Sequence, residues 1–395
     1  MITFALILVA LPFALALYAL ILYPALLMVI GPLRKPRPVP AEPEEWPMVT
    51  LSVPAYNEER AIKATLESLL AIDYPPERRQ IIVVSDASTD GTDEIVRSFA
   101  DRGVELLRLS VRSGKTAAEN ALLPLIRGDI LVNTDATIRI LPDALKPLVR
   151  AFGDPTVGVA SGRDMSVGSL ADQANAAEAG YVGYEMWVRG LETRVGSIIG
   201  ASGCCYAMRR KLHDALFPSA LSRDFAAALI AIERGYRAVS VDSAVCLVPR
   251  TAALQSELNR KVRTMARGLE TLWYKRALMN PLKYGAYSWM LVSHKLMRWL
   301  LFLVSPFTLI GLAFLAAKFR IALVVLSLTF VGILLGIAAV RWPGGKPPRL
   351  LARLGFAVAS LWAGFMAWTK ALRGELNPIW EPTRRPGVSE VKAKS

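Results

Sequence analysis

The sequence predicts an α/β fold, a mostly parallel sheet with helices on both faces, joined at either end to membrane helices. Three observations carry this expectation. Between residues 48 and 248, apolar stretches of strand length end in small or acidic residues and alternate with helical periods, as in a parallel sheet covered on both faces. Residues 1–33 contain no charged side chain, and roughly 20 apolar residues suffice to cross a bilayer. Three further apolar stretches lie near the other end, over 300–317, 321–340 and 354–369.

Composition narrows the class. Of 395 residues, 53% are hydrophobic, which excludes a disordered chain. The 47 Lys and Arg against 33 Asp and Glu leave a net charge of +14, suited to a polyanionic partner or an anionic membrane face. The basic residues are spread over juxtamembrane loops and form no single stripe with stacking aromatics, so nucleic acid is not the expected partner. Two histidines and three cysteines exclude a His-rich metal site, a zinc ribbon or a disulfide scaffold. Cys204, Cys205 and Cys246 read as reduced thiols.

Residues 1–33 form the first element, a membrane anchor. Arg34, Lys35 and Arg37 follow it and place its C-terminal end in the cytoplasm. A cleavable signal peptide does not fit, since the start is uncharged and the apolar stretch too long. Residues 34–47, rich in Pro and Glu, read as a linker. A domain over 48–250 then begins with strands at 49–53, 81–84, 104–109, 130–132 and 157–160, and helices at 61–70, 89–99, 142–152 and 225–233. Residues 251–299 read as amphipathic interfacial helices. Within them, 287–300 mixes Trp289, His294, Lys295, Arg298 and Trp299 with apolar residues. That stretch either lies along the cytoplasmic leaflet or begins the next span. The stretches 300–317 and 321–340 form a tight helical hairpin. Arg341, Lys346, Arg349 and Arg353 return the chain to the cytoplasmic side. The stretch 354–369 is short, and either crosses or lies in the interface. A basic tail occupies 371–395. Together these features predict a multi-pass protein of the cell (inner) membrane with its domain in the cytoplasm.

In sheets of this kind ligands bind beyond the carboxyl ends of the strands. Asn57-Glu58, Asp86 and Asp135 stand at three successive ends. One acidic strand end is often a turn residue, and three in a row point to a site. No phosphate-loop or dinucleotide glycine fingerprint is present. A bound nucleotide would therefore be held by carboxylates, a metal and isolated basic groups.

The motifs Val53-Pro54-Ala55-Tyr56-Asn57-Glu58, Ser85-Asp86-Ala87-Ser88-Thr89-Asp90-Gly91-Thr92, Gly114-Lys115 and Thr134-Asp135-Ala136 resemble, in that order, the nucleotide-sugar half of membrane-anchored, inverting family-2 glycosyltransferases. Gly200-Ala201-Ser202-Gly203 with Arg209-Arg210 is similar to the acceptor-side glycine motif of that family. Asp224, followed by Glu233-Arg234-Gly235-Tyr236-Arg237, resembles its catalytic acidic motif. Asn259-Arg260-Lys261-Val262-Arg263 stands where membrane members, among them polysaccharide and glycolipid synthases, carry Gln-x-x-Arg-Trp. Ser293-His294-Lys295 through Arg298-Trp299, and the terminal Trp380-Glu381-Pro382-Thr383-Arg384-Arg385, also look like those members. The likeness covers about residues 48–385.

The resemblance implies a GT-A type domain that transfers a sugar from a nucleotide diphosphate sugar, a UDP-sugar above all, to a lipid-linked or polysaccharide acceptor. It implies Mg²⁺ or Mn²⁺ as cofactor. Donor binding falls to Pro54, Tyr56, Asn57, Glu58, Asp86, Lys115 and Asp135, with Asp135 holding the metal and Asp224 as general base. Arg260 and Arg263 would reach the diphosphate, although with Arg267 they also read as a basic stripe toward lipid headgroups. Gly200, Ser202 and Gly203 fall on the acceptor side. Trp273 joins them or is a membrane-interface aromatic.

The chain departs from the family pattern at several positions. Ser85 replaces the first acid of an Asp-Asp pair, and Thr137 the second acid of Asp-x-Asp. The metal would then have one protein carboxylate, which Mg²⁺ tolerates because it keeps waters. Arg223 precedes Asp224, where its charge would lower the pKa of the base. Asn259 and Thr264 stand for Gln and Trp, which removes an aromatic platform and points to one or a few sugar additions. Together these departures also fit a catalytically decayed relative that binds nucleotide or a partner enzyme.

Overall fold

A computed structural model describes residues 1–167, 173–213, 216–249, 254–342 and 347–375. Lys346 and the terminal motif from Trp380 to Arg385 lie outside the described residues.

Eight strands form one sheet: β1 (Val49–Ala55), β2 (Arg79–Ser85), β3 (Val104–Arg108), β4 (Ile130–Thr134), β5 (Arg139–Ile140), β6 (Val157–Val167), β7 (Cys205–Arg209) and β8 (Arg237–Pro249). Their order is β3-β2-β1-β4-β7-β6-β8-β5. The first four are mutually parallel. β7 lies antiparallel between β4 and β6, β8 pairs parallel with β6, and β5 pairs antiparallel with β8. The parallel half is the one the sequence predicts, and the second half makes the sheet mixed. The run 205–209 carries no alternation that would separate its direction from that of its neighbours.

The two sheet faces are built by the period-2 alternation of strands. On β2, Ile81 and Val83 enter one core with Leu51, Val53, Ile62 and Leu66. Ile82 and Val84 enter the other with Leu131, Ala118, Leu122 and Tyr206. Because both faces are covered, β2 reads as a continuous apolar run, and each such side chain contributes about 1.5–3 kcal/mol by leaving water.

A third apolar cluster joins the domain to its long apolar helices. Tyr23 and Leu27 of the N-terminal helical stretch pack with Val188, Leu191, Phe225, Leu272 and Leu291. Polar groups lock the same joint. The Tyr23 hydroxyl donates to Glu192 Oε1 at 2.6 Å. His294 Nδ1 lies 2.6 Å from that oxygen, and its Nε2 lies 3.1 Å from Glu185 Oε2. Arg298 pairs with Glu185. Glu185 and Glu192 belong to the helix Gln173–Val195, which also packs on the sheet.

Four helical stretches are long and apolar enough to cross a membrane: Ile2–Leu33, Ala286–Ala316, Arg320–Val340 and Arg349–Leu372. The helical path from Ala286 to Ala316 is unbroken, so residues 287–300 continue directly into the stretch 300–317. The last helix packs on both helices of the hairpin. Gly336 meets Val358, Gly355 meets Ala339, and Gly364 meets Phe302. The Trp368 indole donates to the Trp299 carbonyl at 2.7 Å, and Lys261 lies over the Phe356 ring. These contacts join the helix Arg349–Leu372 to both helices of the hairpin. Gly355, Ala359, Ala363 and Ala367, four apart and buried, give it a face of small residues that lets backbones approach.

Candidate active site

The C-terminal ends of β1, β2 and β4 converge on one region. Pro54 sits on central β1 without disturbing the ladder, because pairing with β4 ends at Ser52 and no N–H is needed from position 54. The turns beyond β1 and β2 knit together. Thr89 N donates to Asn57 Oδ1 at 2.8 Å, and Glu58 N donates to Thr92 Oγ1 at 2.8 Å. Asn57 and Ala87 take left-handed backbone conformations, φ 53° and 56°. Asn adopts this region readily, whereas for Ala it costs about 1 kcal/mol. Ser85, at the departure from Asp-Asp, accepts from Ser88 N at 3.3 Å and so serves as a turn residue. The Arg112 guanidinium stacks 3.8 Å over Tyr56.

Asp86 is buried, and both its oxygens accept from backbone. Ser113 N reaches Oδ1 at 2.7 Å and Gly114 N reaches Oδ2 at 2.8 Å. Gly114 has φ 91°, a conformation that favours glycine. Asp86 thus anchors the loop that presents Lys115.

Lys115 is the hub. Its Nζ donates to Asp135 Oδ1 at 2.5 Å and to the Gly203 carbonyl at 3.4 Å. Burial pulls its pKa down, but the carboxylates of Asp135, Glu119 and Asp224 outweigh burial and hold it above the ordinary lysine value. Asp224 lies in the first turn of the helix Arg223–Glu233. Its Oδ1 accepts from Ser222 Oγ at 2.6 Å and Phe225 N at 2.8 Å. Its Oδ2 lies over Gly203, where a Cβ would stand 2.5 Å away. Lys115, Asp135, Gly203 and Asp224 therefore share one locus.

The loop 200–204 is held from behind. Ser202 Oγ reaches both Asp164 oxygens at 2.6 and 2.7 Å, and Ser202 N donates to Ser161 Oγ at 2.8 Å. Gly200 packs on Phe225, with Lys295 Cε beyond it. The Lys295 ammonium lies 5.8 Å from the centre of the Phe225 ring.

Arg223 reaches partners beyond the adjacent Asp224. It pairs with Glu119 at 3.6 Å, donates to Asn120 and lies 5.0 Å from the Phe217 ring centre. A guanidinium buried to this extent needs a buried partner, and Glu119 supplies one. Burial pushes the Glu119 carboxyl up, against the pull of Lys115 and Arg223.

The helix Leu254–Tyr274 is clamped to the site by Arg267. Its guanidinium donates to the carbonyls of Ala220, Ser219 and Leu221 and to Thr116 Oγ1. Thr271 Oγ1 accepts from Ser222 N at 2.9 Å. At about 100° per residue, Arg260 and Arg263 lie on the Arg267 face. Trp273 is turned about 240° from it, is 65% exposed and lies under Arg276. The geometry does not bring Trp273 to this locus. Sequence reasoning missed Glu119, Asp164 and Thr271. None stands in a motif, and each is known only by its partner.

Among the described residues no three His, Cys, Asp or Glu side chains are grouped to hold a metal. The donor chemistry at β4 is one carboxylate, Asp135, with Lys115 on one oxygen. Such a set fits a divalent ion that completes its shell with phosphate oxygens and water.

A mixed sheet with acidic parallel-strand ends and a helix-borne carboxylate opposite them defines a GT-A type domain. Residues 50–217 match the model of Glycosyl transferase family 2, and this segment of the chain belongs to that family. A beta-monoglucosyldiacylglycerol synthase of Synechocystis is 33% identical over 29% of this chain and 24% of its own length. An N-acetylglucosaminyltransferase of Rhizobium meliloti is 26% identical over 57% of this chain and 56% of its own. The matches thus span about a quarter to just over half of these relatives. A mannosyltransferase from Pyrobaculum calidifontis, solved with GDP-Man and Mn²⁺, superposes with TM-score 0.72 at 24% identity, covering 93% of this chain and 99% of that one. That likeness establishes the fold across the domain and the apolar helices.

Proposed function

We propose that this protein is an inverting glycosyltransferase that moves a sugar from a nucleotide diphosphate sugar to a hydroxyl of a lipid or lipid-linked acceptor at the cytoplasmic membrane face. The observation that carries the reading is the convergence of Asp135 and Asp224 on Lys115 and Gly203. Donor-side and acceptor-side groups lie within one side chain's reach. Asp224 takes the proton of the acceptor hydroxyl. The oxygen then forms a bond to the anomeric carbon on the face opposite the diphosphate, and the bond from that carbon to the diphosphate oxygen breaks, inverting the centre. Lys115, Arg260 and Arg263 neutralise phosphate oxygens as charge develops. Asp86 keeps the Lys115 loop in place. Tyr56, Asn57 and Glu58 wall the nucleotide, a uridine nucleotide by the family likeness. A divalent cation, when bound, would be held by Asp135 and would neutralise the leaving diphosphate.

Attachment of the site to membrane helices supports a lipid acceptor. The Lys295 side chain arrives from the start of a span and lies against Phe225, next to Asp224. Thr264 in place of an aromatic platform supports one or a few additions. The test is release of nucleoside diphosphate from a panel of UDP- and GDP-sugars, using the protein in lipid with Mg²⁺ or Mn²⁺. Turnover with one donor, lost in Asp135→Ala and Asp224→Asn, is expected. Turnover that survives Asp224→Asn would remove the base assignment. Donor binding without turnover on any lipid acceptor would favour the non-catalytic relative.

A further inference from the structure

A pocket of about 610 Å³ lies where the chain leaves its N-terminal membrane helix. Arg34, Lys35, Arg37, Arg150, Arg194 and Arg237 line it, and Asp154 is the one acid in its lining. Asp154 is already engaged, 2.5 Å from Arg237. Arg150 has only a distant pairing, 3.9 Å to exposed Glu42. Arg34, Lys35 and Arg194 have no acidic partner among the described residues. The wall is preformed, since Pro40 of the strap 34–47 packs so tightly on Gly153 that a Cβ there would stand 2.8 Å from it.

Strand polarity separates this pocket from the active site. β4 and β6 both run antiparallel to β7, so they are parallel to each other. Asp135 follows the C-terminal end of β4, whereas the pocket is lined by Val157 and Arg237, which start β6 and β8. The cations therefore gather at the opposite sheet edge, where they cannot serve the donor diphosphate.

We propose that this pocket binds a phosphate-bearing anion, and that the phosphate is the headgroup of an anionic lipid. The helical stretch Ile2–Leu33 has 32 residues, about 48 Å at 1.5 Å each. A bilayer with its headgroups is about 40–45 Å thick, so a modest tilt sets Arg34 at the headgroup boundary. The last turns of that stretch keep an exposed apolar face, with Val29 at 65% and Leu33 at 79%. A lipid phosphate in the pocket would lay its acyl chains along that face. A free phosphate would gain the charge contacts alone. The inference rests on residues 2–33 being in the membrane and is independent of the proposed chemistry.

The test is the thermal unfolding midpoint of the full chain in neutral detergent, with added dioleoyl-phosphatidylglycerol, dioleoyl-phosphatidylcholine or inorganic phosphate. Phosphatidylglycerol is expected to raise the midpoint by several degrees and phosphatidylcholine not to. Arg34→Glu with Arg194→Glu should lose at least half of that rise. Arg97→Glu with Arg102→Glu, an equal charge reversal elsewhere on the domain, should keep it. If the first pair fails to fold, Lys35→Glu on the exposed strap replaces it. A rise that is unchanged in the pocket variant, or equal with phosphatidylcholine, overturns the proposal. An equal rise with inorganic phosphate overturns the lipid and leaves a free-anion site.

Discussion

The Asp224 carboxylate rests against a residue that has no side chain: a Cβ on Gly203 would lie 2.5 Å from Asp224 Oδ2. No real Cβ contact is that short, so the glycine sets where the acid can stand. Gly203→Ala should push the carboxylate aside and lower turnover by about 10²-fold, the effect of a misplacement on the order of 1 Å. Donor affinity should change little. Nucleoside diphosphate release, read beside donor titration calorimetry, checks both, and an alanine variant with full turnover would refute the base assignment.

Lys115 occupies an oxygen of the one carboxylate suited to a divalent ion. Lys115→Ala should therefore let Mn²⁺ bind in the absence of donor with roughly tenfold higher affinity, the equivalent of about 1.4 kcal/mol. The same variant should weaken binding of the nucleotide sugar. Mn²⁺ electron paramagnetic resonance without donor reads the first effect. An affinity equal to that of the unaltered protein would mean that the pair does not restrain the metal.

Arg267 joins the helix Leu254–Tyr274 to the loop before Asp224 through three carbonyls and Thr116. Charge-assisted hydrogen bonds contribute about 1.5–3 kcal/mol each and are not additive. Arg267→Ala should lower the unfolding midpoint by several degrees and raise amide exchange over 219–222. Arg267→Lys should recover only part, since an ammonium cannot reach several carbonyls in a planar fork. Exchange that rises only at distant sites would contradict the clamp.

Asp154 marks an acid-sensitive point beneath the strap. Partial burial pushes its carboxyl up, but hydrogen bonds from Thr156 and Arg237 outweigh this and hold it at about 2. A depressed carboxyl stabilises the fold above its unfolded value near 3.8. That contribution is lost as pH falls through 2, and after solvent screening it is on the order of 1 kcal/mol. Asp154→Asn should flatten the midpoint between pH 4 and 2 while leaving it nearly unchanged in slope above pH 5. An acid limb identical in both proteins would assign the sensitivity to other carboxylates.

Much of this was legible in one dimension. The strands 49–55, 79–85 and 130–134 are largely apolar runs that end beside the candidate residues Asn57, Asp86 and Asp135, because a buried parallel strand leaves only its end for polar chemistry. Their motifs also carried the order of the donor side. The antiparallel β7, the two-residue β5 and the roles of Glu119, Asp164 and Thr271 were not legible. A five-residue apolar run has no directional signal. Arg223 shows the same limit, since its pairing with buried Glu119 joins residues 104 positions apart and no motif announces it.

What the sequence by itself determined is local: where apolar periodicity makes strands and helices, where charge stops a membrane segment, and which residue types stand at strand ends. The tertiary structure alone decided which of these meet. It brought Lys115 between Asp135 and Gly203, turned Trp273 away while Arg267 closed on Thr116, and gathered Arg34, Arg194 and Arg237 at the edge opposite the site. The reason is physical. Periodicity is a property of neighbours along the chain. A salt bridge, a glycine under a carboxylate or a cationic pocket depends on distances between segments, which are set only when the sheet order and the packed cores exist.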